Sequence, residues 1–205
     1  MCRLNTPATI DAAPTATHAA LRAVEESLGS VPNLFRVVAN SPVALSGYLG
    51  LSSSLKSAAP PAATHERIAL AVAELNGCGY CQSANTYLAK HVAQLDDGEI
   101  TANRSGTSND PTADAAVRFA AALVRARGHV SDAELAAVRA AGYSDAEIVE
   151  IVLAVALNTF TNYVNEVAQT AIDFPRVAVR ACGLGGARRP ARRAARRTVA
   201  PGALQ

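Results

Sequence analysis

The sequence lacks tryptophan, has a single methionine, and only 4% of its 205 residues are aromatic. Half of the residues are apolar, with alanine prominent among them, and Val, Ile and Thr do not cluster into alternating runs. Alternating β-branched and aromatic residues are typical of strands, whereas alanine is the strongest helix former and lets helices approach closely. The composition therefore predicts an all-α protein with a single buried core.

Long apolar runs are also absent. The longest, residues 151–157, has the length of a core helix segment and falls well short of the ~20 residues of a membrane span. The N-terminal residues do not combine a basic region with an apolar run, so we expect no secretory signal. Four cysteines are too few for a secreted disulfide scaffold. We therefore expect a cytoplasmic protein that does not span a membrane.

Acidic residues are missing from the C-terminal part. The net charge is +2, but residues 176–205 carry eight arginines and no acid, which leaves −6 for residues 1–175. The segment 176–205 is rich in Arg, Ala, Gly and Pro without apolar periodicity, which predicts a disordered tail. It has no interleaved aromatic residues, so we expect a solvated extension rather than a nucleic-acid-binding segment.

Helix-capping and helix-breaking residues predict the helices before the tail. Ser41 precedes a proline and is typical of an N-cap, Thr64 is predicted to cap a later helix, and Gly77 suits the end of that helix. Residues 131–134 and 144–147 both read Ser-Asp-Ala-Glu, which matches a capping box. We expect one helix in an N-terminal segment, residues 1–28, followed by a helical domain over residues 29–175. The predicted helices cover roughly residues 16–28, 42–56, 64–77, 78–92, 112–127, 132–141 and 145–170.

A weak internal repeat is visible. Residues 66–77 align with residues 147–158, and this register places Cys81 on Asn162 and Asn85 on Glu166. A true duplication predicts two similar helix pairs, packed face to face, with a cysteine pair in only one of them. Chance alignment of two amphipathic helices explains the similarity equally well.

The chemistry centres on Cys78 and Cys81. Residues three apart on a helix share a face, at a separation compatible with a disulfide. The N-terminus of a helix lowers the pKa of a thiol there and favours the thiolate. Such a thiolate can attack an oxidant and become a sulfenic acid, which the second thiol converts to a disulfide. An external dithiol then resets the pair.

Two polar residues are expected to face the pair. Asn85 lies four residues after Cys81, on the same helix face. Glu66 lies on the preceding helix and faces the cysteines if the two helices pack antiparallel across Gly77, where its carboxylate can take the thiol proton. Glu66 as a first-turn acid favoured by the helix dipole is the alternative.

The spacing Glu66–x11–Cys78–x2–Cys81–x3–Asn85 resembles that of the alkylhydroperoxidase-D-like, or carboxymuconolactone decarboxylase, family. Residues 29–42, 65–81 and 158–175 are similar to its peroxidase-related subgroup, so the resemblance extends over about residues 29–175.

The resemblance implies an all-α helical bundle and a thiol-dependent hydroperoxide reductase. It implies that Cys81 is the peroxidatic thiol and that Cys78 is the resolving thiol, which accepts reducing equivalents from a dithiol such as a lipoyl group. It also implies that Glu66 anchors a proton relay and that the subunits form trimers or hexamers. We expect no bound cofactor or metal.

The sequence departs from the family pattern at the relay. The family commonly has histidine where this chain has Asn85, and sometimes where it has Tyr80. Asparagine cannot act as a base near neutral pH. The predicted relay is therefore reduced to Glu66, with Tyr80 assisting or serving only as a packing aromatic. Glu166, in the repeat position of Asn85, is a second candidate.

Other interpretations stay open. One interpretation is that the cysteines are buried, inert thiols. Another is that they bind zinc, although Cys2, Cys182 and the histidines do not complete a set of four ligands. A redox-responsive assembly protein is the main functional alternative, and a decarboxylase acting on a lactone is less favoured. The asparagines at 158, 162 and 165 are predicted to make buried structural hydrogen bonds rather than to act in catalysis.

Overall fold

The computed structural model describes residues 2–180, and within these residues it contains helices and no strand. A short 3-10 turn, Thr15–Thr17, precedes nine α-helices in the described part of the chain. The all-α prediction is confirmed. The helices are α1 His18–Leu28, α2 Asn33–Val38, α3 Pro42–Lys56, α4 Ala62–Leu75, α5 Gly79–His91, α6 Asp97–Arg104, α7 Pro111–Ala126, α8 Asp132–Ala140 and α9 Asp145–Ala168.

Helix α4 lies at the centre of the molecule and packs against α5, α6, α7 and α9. One face of α4 shares an apolar core with α7, α8 and α9, around Ile68, Val117 and Ile151. A second core surrounds the cysteine pair and includes Ala13 and Leu21 from the N-terminal segment. The predicted segment 1–28 therefore shares a core with the predicted domain 29–175.

The predicted helix starts are largely present. Ser41 accepts a hydrogen bond from the backbone N–H of Ala44, and both predicted capping boxes form, at Ser131 and Ser144. Helix α4 begins at Ala62, two residues before Thr64, because Pro61 supplies the extended backbone that precedes the first turn. The short helix α2 was not predicted.

The repeat has no second helix pair. The segment that aligns with α4 and α5 is the single continuous helix α9, 24 residues long. The break between α4 and α5 depends on Gly77, which has φ +69°. The repeat aligns Asn158 with Gly77. The backbone at Asn158 is helical and needs no positive φ, so α9 continues through this residue.

Helix α9 is the one helix in residues 2–180 that is long and apolar enough to cross a membrane by length and composition. In the structure it packs against α2, α3, α4, α5 and α7 and carries the buried amides of Asn162 and Asn165. These contacts cover one face of α9, and 28% of its apolar stretch is buried.

Residues 170–180, here called the C-terminal strap, follow α9 without regular secondary structure and contact α5 and α6. The backbone N–H of Val177 donates to Ser83 at 3.0 Å, and Arg104 donates to the carbonyl of Ala178 at 2.7 Å. Residues 176–180 are the first five residues of the predicted disordered tail, and in the structure they pack against the bundle. The rest of that predicted tail, residues 181–205, lies outside the described residues.

Candidate active site

The turn between α4 and α5 positions both cysteines. The N–H of Cys78 donates to the carbonyl of Ala73 at 3.0 Å, and the N–H of Gly77 donates to the carbonyl of Glu74 at 3.1 Å. These two bonds, with Gly77 at positive φ, form the Schellman ending of α4. The chain leaves this turn with Cys78 in the extended conformation of an N-cap, so α5 starts immediately afterwards.

Cys78 is the N-cap residue of α5, and its side chain closes the first turn. The Sγ atom of Cys78 accepts a hydrogen bond from the backbone N–H of Cys81 at 3.2 Å. The two side chains therefore meet across one helical turn, as their spacing predicts. Both cysteines are free thiols and both are buried.

Cys81 is the better stabilised as a thiolate. Its pKa is held below the ordinary thiol value, first by a hydrogen bond with Cys78 and then by the side-chain amide of Asn165, against the opposing effect of burial. The Nδ2 atom of Asn165 donates to the Cys81 Sγ atom at 3.2 Å. Asn162 and Thr161 add smaller contributions from the same helix.

Cys78 has the opposite bias. Its hydrogen bond with Cys81 and its burial raise its pKa, and the negative charge of Glu166 contributes in the same direction. Cys78 thus retains its proton and donates it towards the sulfur of Cys81. One thiolate and one thiol are the protonation states that sulfenic acid formation followed by disulfide closure requires.

Glu66 is a half-buried carboxyl group on α4. Burial raises its pKa to about 7. Tyr48 lies on α3, and the pKa of its phenol is raised to about 12. Burial is the main cause, and the negative charges of Cys81 and Glu66 act in the same direction. Among the described residues no hydrogen bond joins the Glu66 carboxyl group to either cysteine, so the predicted direct pairing of Glu66 with the thiols is not present. Tyr48, which the sequence did not indicate, lies between the fields of Glu66 and Cys81 and lines the cavity described below.

The other predicted site residues, Asn85, Tyr80 and Glu166, do not contact the sulfur of Cys81 through hydrogen bonds in the described structure. Asn85 donates through Nδ2 to the backbone carbonyl of Ala69 at 3.0 Å, so its amide joins α5 to α4. The Tyr80 hydroxyl accepts a hydrogen bond from the N–H of Leu34 at 3.1 Å. Burial raises the pKa of Tyr80, so it stays a neutral phenol. Glu166 is exposed and acts on Cys78 through its charge.

Asn165 and Asn162 are site residues that the sequence interpretation assigned to structure alone. Asn165 contacts the thiolate, and Asn162 accepts a hydrogen bond from Asn76 at 2.9 Å, which fixes α9 against the end of α4. The sequence did contain a signal for Asn162, because the internal repeat aligns this residue with Cys81.

A cavity of about 710 Å³ opens beside the cysteines. Cys81 lines it, and Cys78 and Glu66 do not. Its walls are mainly apolar and aromatic, with contributions from α1, α2, α3, α5, α9 and the C-terminal strap. They include Val24, Leu34, Phe35, Tyr48, Leu49, Ala84, Leu88, Leu157 and Phe174. The volume lies in the range of small-molecule sites, so an organic molecule has room to reach the Cys81 sulfur.

Among residues 2–180, no three His, Cys, Asp or Glu side chains come together in an arrangement that could hold a metal ion. The described site brings together two thiols and the amide donor of Asn165.

No protein-family model and no curated protein sequence matches the chain. Solved structures do. A peroxidase-related protein from Silicibacter sp. TM1040 is 23% identical, with a TM-score of 0.70, covering 83% of this chain and 94% of that one. A peroxidase-related protein from Ralstonia eutropha JMP134, described as an alkylhydroperoxidase AhpD core, is 21% identical, with a TM-score of 0.74 and coverage of 84% and 92%.

A third similar structure is the debrominase Bmp8, in a cysteine-to-alanine variant bound to 2,3,4-tribromopyrrole. It is 22% identical, with a TM-score of 0.71, and the match covers 84% of this chain and 94% of that one. At these identities the three matches establish the shared fold.

Proposed function

The chain has the fold of the alkylhydroperoxidase-D-like proteins, and from this fold and the geometry of the cysteine pair we propose that it is a thiol-dependent hydroperoxide reductase. The proposal rests on the surroundings of the Cys81 sulfur. It lines a cavity large enough for an organic molecule, and hydrogen bonds from Cys78 and Asn165 stabilise its thiolate.

In the proposed first step, the Cys81 thiolate attacks the terminal oxygen of the hydroperoxide. The O–O bond breaks, Cys81 becomes a sulfenic acid, and the alcohol leaves with a proton. In the second step the Cys78 thiol condenses with the sulfenic acid, which forms the disulfide and releases water. An external dithiol, such as a lipoyl group, then reduces the disulfide.

Glu66 is the proposed proton acceptor and donor in this cycle. A pKa of about 7 lets a carboxyl group accept a proton and return it near neutral pH. Tyr48 is proposed to orient a water molecule or the substrate, because it lines the same cavity as Cys81 and its raised pKa keeps the phenol neutral. Asn85 is committed to the carbonyl of Ala69 and is proposed to hold the two helices together.

We propose that the protein is cytoplasmic, that it uses no bound cofactor or metal, and that its partners are a small-molecule hydroperoxide and a dithiol-bearing protein. We also propose a homo-oligomer, a trimer or a hexamer. Exposed apolar side chains on α9 support the assembly, because contiguous exposed apolar surface is typical of interaction sites.

The test follows hydroperoxide consumption in the presence of a dithiol. Cys81→Ser should abolish turnover, because it removes the attacking sulfur. Cys78→Ser should allow a single oxidation of Cys81 to sulfenic acid, detectable with a dimedone-type reagent, and then stall. Equal rates for the wild type and Cys81→Ser would remove the peroxidase proposal.

A redox-responsive assembly protein is the second candidate, and one observation favours it. Asn85, at the usual position of the family histidine, is used as a structural hydrogen-bond donor, which leaves fewer groups to move protons during turnover. Peroxide would then form the disulfide slowly and change the oligomeric state. Thiol titration combined with sizing of the reduced and oxidised protein separates the two candidates.

A further inference from the structure

We infer that an external dithiol resets the disulfide by attacking the sulfur of Cys81, so that oxidant and reductant reach the same atom through the same cavity. This inference rests on the proposed two-cysteine cycle. It differs from the family pattern, which implies that Cys78 receives the reductant.

The first observation is the difference in access between the two sulfurs. Cys81 lines the cavity of about 710 Å³. Cys78 does not line it, and its exposed fraction is 0%, compared with 4% for Cys81. A dithiol that enters the cavity therefore meets Cys81 before Cys78.

The second observation is the cover over the start of α5. Cys78 belongs to a buried cluster that also contains Tyr80 and Cys81, and Ile172 and Phe174 of the C-terminal strap pack against this cluster. The Cδ1 atom of Ile172 lies 4.0 Å from the place where a Cβ atom on Gly79 would stand. The strap thus lies directly over the turn that Cys78 caps.

The strap is anchored within and beyond this cover. Between Ile172 and Phe174, the carboxylate of Asp173 accepts a hydrogen bond from the N–H of Asn33 at 2.7 Å. After Phe174, the N–H of Val177 donates to Ser83, and the N–H of Arg180 donates to the buried carboxylate of Glu74. Attack on Cys78 from this side would require the anchored strap to move.

When a thiolate of the dithiol attacks the Cys81 sulfur, the S–S bond breaks and Cys78 leaves as a thiolate. The N–H of Cys81, which donates to the Cys78 sulfur at 3.2 Å in the reduced protein, stabilises that charge until a proton arrives from water. Cys78 is the more basic of the two sulfurs in the reduced protein, so access to the sulfur, and not leaving-group basicity, favours attack on Cys81.

The second half of the exchange completes the balance. The other thiolate of the dithiol attacks its own sulfur in the mixed disulfide, and Cys81 leaves as a thiolate. The dithiol loses two electrons and becomes a disulfide, and the cysteine pair gains them. Because both substrates occupy one cavity, excess dithiol should inhibit turnover competitively against the hydroperoxide.

The test needs no peroxide. The full-length protein with Cys2→Ser and Cys182→Ser is oxidised with diamide, mixed briefly with 2-mercaptoethanol, quenched in acid, alkylated and mapped by mass spectrometry. A monothiol has no second sulfur for the intramolecular displacement, so with one equivalent of monothiol and an early acid quench the adduct marks the sulfur that was attacked. We expect the adduct on Cys81 and the alkyl group on Cys78, with a preference of at least about tenfold. The same reaction in guanidinium should modify both sulfurs.

Single variants provide a second measurement that does not need the disulfide. In the same background, the remaining Cys81 of Cys78→Ser should react with dithiodipyridine at least about tenfold faster than the remaining Cys78 of Cys81→Ser, and the two rates should converge in guanidinium. Circular dichroism confirms that both variants are folded.

The outcomes separate this inference from the proposed function. An adduct on Cys78, an even distribution in the folded protein, or a failure of diamide to form the disulfide overturns the inference. An adduct on Cys81 in a protein that does not consume hydroperoxide supports the inference and contradicts only the peroxidase proposal.

Discussion

At the scale of single residues, the candidate site depends on which of two thiols keeps its proton. The hydrogen bond between Cys78 and Cys81 places the charge on Cys81, and Asn165 strengthens that preference. On α4, burial raises the pKa of Glu66 to about 7. This value is the reason why we propose Glu66 as the group that exchanges protons near neutral pH.

The raised pKa of Glu66 makes a prediction about stability. Burial raises this pKa from 4.5 to about 7, so the folded state binds the proton more tightly than the unfolded state. The resulting contribution to the free energy of unfolding is fully present below pH 4.5 and is lost as the pH rises to about 7. Glu66→Gln should remove this loss.

The measurement is urea unfolding of the wild type and Glu66→Gln across that pH range. The difference between the two should grow as the pH rises, in favour of the variant. Glu26→Gln, which changes an exposed acid on α1, should follow the wild-type profile. A constant difference between the wild type and Glu66→Gln would contradict the assigned ionisation of Glu66.

At the scale of elements, the turn between α4 and α5 determines where the cysteines lie. Gly77 has φ +69°, a left-handed conformation that costs residues with a Cβ atom free energy. The Schellman ending of α4 and the N-cap of α5 are adjacent, so the direction of α5 and the position of Cys78 both depend on this one residue. Helix α9 lacks such a residue and continues.

Gly77→Ala should lower the free energy of unfolding by about 1–2 kcal/mol, the cost of a left-handed conformation for alanine. A Cβ atom at Gly77 meets nothing within 4 Å, so no clash adds to this cost. Gly50→Ala is the matched control. Gly50 lies inside α3, also with nothing within 4 Å, and alanine there should raise stability by about 0.5–1 kcal/mol. Denaturant unfolding of both variants checks the opposite signs, and a stabilising Gly77→Ala would contradict the turn geometry.

At the scale of the whole molecule, α9 has two different faces. One face carries Asn162 and Asn165 into the site. The other exposes Val149, Val152, Tyr163 and Val167, with exposed fractions of 67%, 43%, 61% and 60%. Their spacing places them along one side of the helix. A single chain leaves this apolar side uncovered, which is why we propose that copies of the chain associate through it.

The double variant Val149→Glu with Tyr163→Glu should shift the protein to monomers, because it places buried charges in the proposed contact. Val43→Glu is the matched control, since Val43 is 82% exposed but lies on α3. Light scattering after gel filtration should show a mass of several chains for the wild type and the control, and of one chain for the double variant. A monomeric wild type, or an unchanged double variant, would exclude this face as the assembly surface.

Relations within a helix followed from the sequence alone. The face shared by Cys78 and Cys81, the capping boxes at Ser131 and Ser144, and the break at Gly77 depend on residues at most a few positions apart, where helical geometry is the same in every protein. The alanine-rich composition predicted the all-α class for a similar reason, because propensity acts locally.

Relations between helices required the tertiary structure. The bond from Asn165 to Cys81 joins residues 84 positions apart. The cavity, the raised pKa of Glu66 and the use of Asn85 as a donor to Ala69 all depend on how α3, α4, α5 and α9 pack. Periodicity identifies the face on which a residue lies. It does not identify the neighbour on that face or the access of water to it, and these two properties determine which sulfur is charged and which can be reached.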